Sequence, residues 1–128
     1  MTMRWGRLLG AVLLTTACFR HASLSPTPNP NVITRAEIRS VHAASIYDAI
    51  AQLRPQFLRD RGSVSIVGGE RDVATVFLNS QAYGSISAMR QLPATDFSQV
   101  RYYSGIDAVT KFGRAYGGGV IQLISRDH

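Results

Sequence analysis

The side chains able to do chemistry are few and scattered. Three histidines and one cysteine occur in 128 residues. His21, His42 and His128 share no helical i, i+4 spacing of the kind that turns two imidazoles toward one metal ion. Asp48 and Asp107 each stand three residues after a serine, Ser45 and Ser104, at the head of an apolar periodic run. A carboxylate placed there meets unpaired helix amides and the positive end of the helix dipole, so both aspartates read as helix-start residues. None of the serines sits in a nucleophile-elbow pattern. Arg101, Tyr102 and Tyr103 could present a partner surface or form cross-strand pairs, and the strand composition around them favours the pairs. The expectation is a chain with no catalytic residue, no metal and no cofactor.

Composition points the same way. The formal charge is +6, yet the basic residues are arginines spread along the chain, with Lys111 the single lysine. A nucleic-acid binder would concentrate them in a stripe interleaved with aromatics; without one, no nucleic-acid partner is expected. Hydrophobic residues make up 45% of the chain, enough for a packed core, and the length suits one folded domain.

The first 17 residues stand apart. Arg4 and Arg7 form a positive segment, and "LLGAVLLTTA", residues 8–17, is apolar but too short to cross a bilayer as a permanent helix. Residues 1–17 therefore read as a secretory signal peptide. Cys18 follows directly and, alone, has no partner for an intrachain disulfide. The segment "LLTTAC" resembles the lipobox of bacterial lipoproteins, with Thr15 where an aliphatic residue is usual. That resemblance implies lipidation of Cys18 through a thioether to diacylglycerol and cleavage of the signal before it. Ordinary secretion with an incidental Cys18 is the alternative. Loss of Arg4 and Arg7 would lower the formal charge from +6 by two. In residues 18–31, prolines at 26, 28 and 30 alternate with Ser, Thr and Asn, which predicts an extended tether between a membrane anchor and a folded unit.

From residue 32 to residue 128 the pattern becomes regular. "SIYDAIAQLRP" places Ile46, Ala49, Ile50 and Leu53 at helical spacing, with Ser45 as cap and Pro55 as stop. "TRAEIRS" predicts a separate short helix capped by Thr34, with Glu37 in the capping-box place. The preceding "NVI" allows a two-residue strand. "SVSIVGG" (63–69) and "VATVFLN" (73–79) read as strands joined by a charged turn, "GERD"; the second is apolar on both faces, as a covered strand requires. "SISAMRQLP" carries Ile86, Met89 and Leu92 on one stripe, a short helix capped by Ser85 and stopped by Pro93. "FSQVRYYS" reads as a strand. "SGIDAVTKFG" reads as a helix with Ile106, Val109 and Phe112 inward and Gly113 as its stop. The last strand is "GVIQLIS". The sum is an α+β domain, a small single sheet of about four to five strands with short helices.

Three consecutive glycines, Gly117, Gly118 and Gly119, precede that last strand. A phosphate-cradling glycine loop is followed by a helix, whose N-terminus supplies the field. Here a strand follows, so the glycines, like Gly113, read as structural: they let the chain turn sharply and allow a neighbouring element to approach.

The order of these pieces resembles the plug domain of TonB-dependent outer-membrane receptors. Leu92-Pro93 with Asp96 matches that family's middle phrase, Phe112-Gly113 takes the place of its tyrosine-glycine, and Gly119-Val120-Ile121 matches its closing strand. Residues 32–58 are similar to the start of the same plug. Asn79-Ser80 stands where the family has Asp-Gly, and the chain stops at His128, where a receptor would begin its first membrane strand. The resemblance implies a free-standing, plug-domain-like unit. It would sit in the bacterial cell envelope, at the outer membrane facing the periplasm, held to the membrane by its lipid anchor. The expected role is a non-catalytic accessory module linked to outer-membrane transport. It would dock on a barrel or other envelope transport protein through Asn79, Gln81 and Tyr83 and through Arg114 and Tyr116. A structural envelope lipoprotein without a transport partner is the alternative, and a hydrolase with an unrecognised site is the third reading.

Overall fold

The structure, a computed structural model, describes residues 28–59 and 73–126. The signal peptide, Cys18, His21, most of the tether, the strand expected at 63–69 with its charged turn, and His128 lie outside the described residues. In chain order the elements are β1 (Val32–Thr34), α1 (Arg35–Ser40), α2 (Ile46–Leu53), β2 (Thr75–Leu78), β3 (Gln81–Gly84), β4 (Phe97–Tyr103), α3 (Gly105–Phe112) and β5 (Val120–Ser125). Short 3-10 segments occupy Pro55–Phe57, Ile86–Gln91, Ala94–Asp96 and Arg114–Tyr116. The strands form one mixed sheet in the order β1-β4-β5-β2-β3, so the domain is α+β.

The closing strand is the middle of this sheet. β5 runs antiparallel to β4, pairing Val120 with Tyr103 and Leu123 with Val100, and parallel to β2, pairing Val120 with Thr75. A strand flanked on both sides must be apolar on both faces. Val120, Ile121 and Leu123 are fully buried, and Gln122 and Ile124 partly so.

The helix starts follow local chemistry. The Thr34 hydroxyl accepts from the Glu37 amide at 3.4 Å, and the Glu37 carboxylate accepts from the Thr34 amide at 2.8 Å, a complete capping box on α1. Ser45 and Ser104 accept from the Asp48 and Asp107 amides at 3.1 and 3.4 Å, and each hydroxyl donates to that aspartate's carboxylate at 2.7 Å. Both aspartates are helix-start residues, as their spacing predicts. α2 ends at Leu53, two residues before Pro55, whose ring opens a 3-10 turn instead.

The sheet has one thick face and one thin face. On the thick face α1, α2 and the Ile86–Gln91 segment cover Ile33, Val76, Val100, Ile121 and Leu123. Ile38, Ile46, Ile50, Phe57 and Met89 interleave with them, and Phe57 stacks on Tyr102 at 4.9 Å between ring centroids. Ala94 N donates to Ala44 O at 3.1 Å and Ile46 N to Leu92 O at 2.9 Å, tying α2 to the chain around Pro93. On the thin face α3 and the Arg114–Tyr116 turn form a smaller cluster around Phe77, Ala108 and Val120.

Several expectations need correction. Ile106 does not point inward: it is 82% exposed. Ala108 takes the buried position, with Phe112 one turn further on, and Ile106 lies about 200° round the helix from Ala108 at the α-helical pitch. The residues from Ile86 to Gln91 form a 3-10 helix rather than an α-helix, and Ile86, Met89 and Leu92 recur every three residues, the 3-10 period. Ser85 does not cap it; its hydroxyl meets Ser87 Oγ at 2.8 Å. The edge strand β3 was not expected. Its polar, glycine-bounded sequence carries no strand pattern, and among the described residues it pairs only with β2, through the turn at Asn79 and Ser80.

The glycines behave as spacers. Gly113 ends α3 at φ 109°, and Gly119 enters β5 at φ 98°. A Cβ on Gly119 would lie 2.9 Å from Tyr103 O, and one on Gly105 would overlap the Gly117 carbonyl. The start of α3 thus rests on the glycine run.

Candidate functional site

The five positions singled out for partner contact separate into two groups. Asn79 and Tyr116 belong to the framework. Asn79 adopts φ 55° in the β2–β3 turn, and its Oδ1 accepts from both the Ser125 amide at 3.0 Å and the Ser125 hydroxyl at 3.1 Å. Its own amide donates to Leu123 O at 2.7 Å, and its carbonyl accepts from the Gln122 side chain. Asparagine tolerates the left-handed conformation that this turn requires. Tyr116 packs edge-on against Phe77 at 5.1 Å and against Phe112 at 6.3 Å. Asn79 is exposed and Tyr116 half-buried, and both also hold the framework together.

Gln81, Tyr83 and Arg114 remain exposed. Gln81 and Tyr83 lie on β3, the outer strand of the sheet, where Gln81, Ala82 and Tyr83 are all exposed and Tyr83 is 43% accessible. Among the described residues no strand lies beside its outer side, which there presents backbone donors and acceptors. A register irregularity in β2 at Val76 and Phe77 and the short length of β3 twist and limit this edge. It is therefore suited to one short, specific contact more than to open-ended strand addition.

A second region, missed by the sequence reading, lies where α3 crosses β4. Tyr103 accepts a hydrogen bond from Lys111 Nζ and donates to Gln122 Oε1 at 3.2 Å, and the Lys111 ammonium lies 4.3 Å from the Tyr103 ring centroid. Partial burial pushes the Tyr103 pKa up, but hydrogen bonding and positive charge from Lys111 and Arg101 outweigh it and hold the phenol below its ordinary value. A cleft of about 570 Å³ opens beside it, lined also by Asn29, Asn31, Arg101 and Asp107. A phenol beside an ammonium can hydrogen-bond a carbonyl or anionic oxygen. Asp107, the one carboxylate among the described lining residues, accepts from the Ser104 hydroxyl at 2.7 Å. Arg101, Tyr102 and Tyr103 do form cross-strand pairs, with Gln122, Ile121 and Val120. The signal for this cluster was Lys111 at eight residues from Tyr103, a separation that only the strand-to-helix crossing makes close.

Among the described residues no group of three or more His, Cys, Asp or Glu is arranged to hold a metal ion, and no helix is long and apolar enough to cross a membrane. The chain matches no protein-family profile, no curated protein and no solved structure.

Proposed function

We propose that this chain is an envelope lipoprotein whose folded unit, similar to a receptor plug, is a non-catalytic docking module for an outer-membrane barrel or another envelope transport protein. The observation that carries the docking role is the β3 edge: three consecutive exposed residues, Gln81 to Tyr83, on a strand that among the described residues is paired on one side only. Tyr83 supplies a large, amphipathic side chain of the kind that anchors interfaces. The plug-like reading is supported by the interior position of β5 and by the order of the segments around Pro93, Gly113 and Gly119. Anchoring is supported by the "LLTTAC" segment ending at Cys18.

Site-specific photocrosslinking in intact envelopes tests the docking role. A benzophenone side chain at Tyr83 or Gln81 is expected to capture a barrel-sized partner, whereas one at Gln52, exposed on α2, captures none. Equal capture from both places, or none from β3, removes the docking edge and leaves a structural lipoprotein. Cys18→Ser is expected to release the protein from membranes and abolish the acyl mass increase; two variants that fractionate alike remove the anchor.

A further inference from the structure

A cleft of about 300 Å³ lies between α1 and the chain around Pro93, on the side of the domain away from α3. Its basic lining is Arg35, Arg39, His42 and Arg126, and its floor includes the buried Ile38, Ala94 and Phe97. We propose that it binds a small phosphate ester, the phosphate held by the arginines and the carbon portion resting on the apolar floor.

The charge arrangement favours an anion. Arg35 and Arg39 stand one helical turn apart on α1, where like charges repel. Glu37, the acid on the same helix, is engaged elsewhere: its carboxylate holds the Thr34 amide and the Arg54 guanidinium, the latter at 2.9 Å. No acidic side chain is among the described residues lining the cleft. Arg126 arrives from the end of β5 and is held there, its amide donating to Asp96 O at 2.9 Å and its Nη1 to Thr95 O at 2.8 Å. His42, at φ 48°, is tied through Nδ1 to Ser40 O at 3.2 Å and lines the same cleft. Arginines from two separate chain segments, α1 and the end of β5, therefore meet over an apolar wall, which concentrates their field.

Phosphate suits this lining better than a carboxylate does. Guanidinium groups bind oxyanions through paired N–H donors, and three of them offer more donors than the two oxygens of one carboxylate can accept. The floor favours an ester over the bare ion, since Ile38 and Phe97 give a carbon group an apolar surface to cover. The volume is at the small end for ligand sites, which fits a headgroup-sized molecule. Such a group has two sources, a soluble phosphate ester or a phospholipid headgroup. The inference stands apart from the docking role of β3.

The test uses the full chain and glycerol 3-phosphate as probe, followed by the arginine side-chain N–H resonances in NMR. Saturable shifts are expected in the parent protein. Affinity should fall about tenfold or more in Arg35→Gln/Arg39→Gln and in Arg126→Gln, and stay unchanged in Arg59→Gln. Both α1 arginines are exposed, so the double variant is expected to keep the parent melting curve. No saturation, undiminished binding in both cleft variants, or equal affinity for acetate at the same ionic strength overturns the proposal. Phosphatidylglycerol against phosphatidylcholine vesicles then separates the sources. A parent-over-variant advantage confined to phosphatidylglycerol assigns a lipid headgroup, and glycerol phosphate binding without that advantage assigns a soluble ester.

Discussion

The two faces of the sheet are built on different terms. The thick face buries large aliphatic side chains under two helices, and Ile50 of α2 is fully enclosed. The thin face is covered by one helix and one turn, and its buried core is Phe77, Ala108 and Val120. Its aromatic rim, Tyr103, Phe112 and Tyr116, is only partly buried and mixes with Lys111 and Gln122. Ile106 stands open to solvent on the same helix that closes this face. Stability is concentrated on one side, and the other is left polar, half-covered and adjustable.

Substitution of one isoleucine in each covering helix puts the widest gap into that contrast. Ile50→Ala should lower unfolding free energy by about 4 kcal/mol, the transfer cost plus an unfilled cavity, while Ile106→Ser should change it by less than about 0.5 kcal/mol. Chemical denaturation measures both, and similar losses would erase the distinction between the faces. Gly119→Val comes next. A β-branched residue at φ 98° with a Cβ driven against Tyr103 O should cost about 2–3 kcal/mol, and an unchanged melting curve would show that the glycine run can rearrange.

Glu37 sharpens the thick side on the acid limb. Partial burial pushes its pKa up, but hydrogen bonds from Thr34 and the charge of Arg54 prevail and hold it below its ordinary value of 4.5. A carboxyl with a lowered folded pKa contributes stability that is fully present above the ordinary value and lost as pH falls through the folded one. Glu37→Gln should therefore cost about 1 kcal/mol at neutral pH and flatten the stability profile below pH 4.5. A profile parallel to the parent's would exclude the ion pair and cap as its source.

The smallest effect on stability belongs to Lys111. Tyr103 has a lowered folded pKa, so its ionisation adds stability as pH rises through the folded value, in full only above the phenol's ordinary 10.0. Lys111→Met should leave neutral stability within about 0.5 kcal/mol of the parent. The earliest tyrosinate absorbance in an alkaline titration should move to higher pH; if it stays in place, the ammonium is not what perturbs the phenol.

Local signals were legible where the cause is local. Thr34 with Glu37, Ser45 with Asp48 and Ser104 with Asp107 announce helix starts because hydroxyl, carboxylate and amide meet within one turn. The apolar run of β5 announces an interior strand because both of its faces must leave water. Less was legible of the sites. The framework bonds of Asn79 and Tyr116 were not legible because their partners, Ser125 and Phe77, are 46 and 39 residues away in sequence. Tyr103 and Lys111 gave no motif, and Arg126 joins Arg35 and Arg39 only after the sheet has brought the ends of the domain together.

Chain chemistry alone determined the helix caps, the glycine stop after Phe112, the buried character of the closing strand and the α+β class, since each follows from neighbours within a few residues or from the need to remove apolar surface from water. Tertiary structure decided the existence of β3, the outward turn of Ile106, the fixing of Asn79 and the gathering of four basic side chains into one cleft. These depend on which surfaces remain after the sheet is assembled, and that is a property of contacts between segments far apart in the chain, invisible to any local pattern of residues.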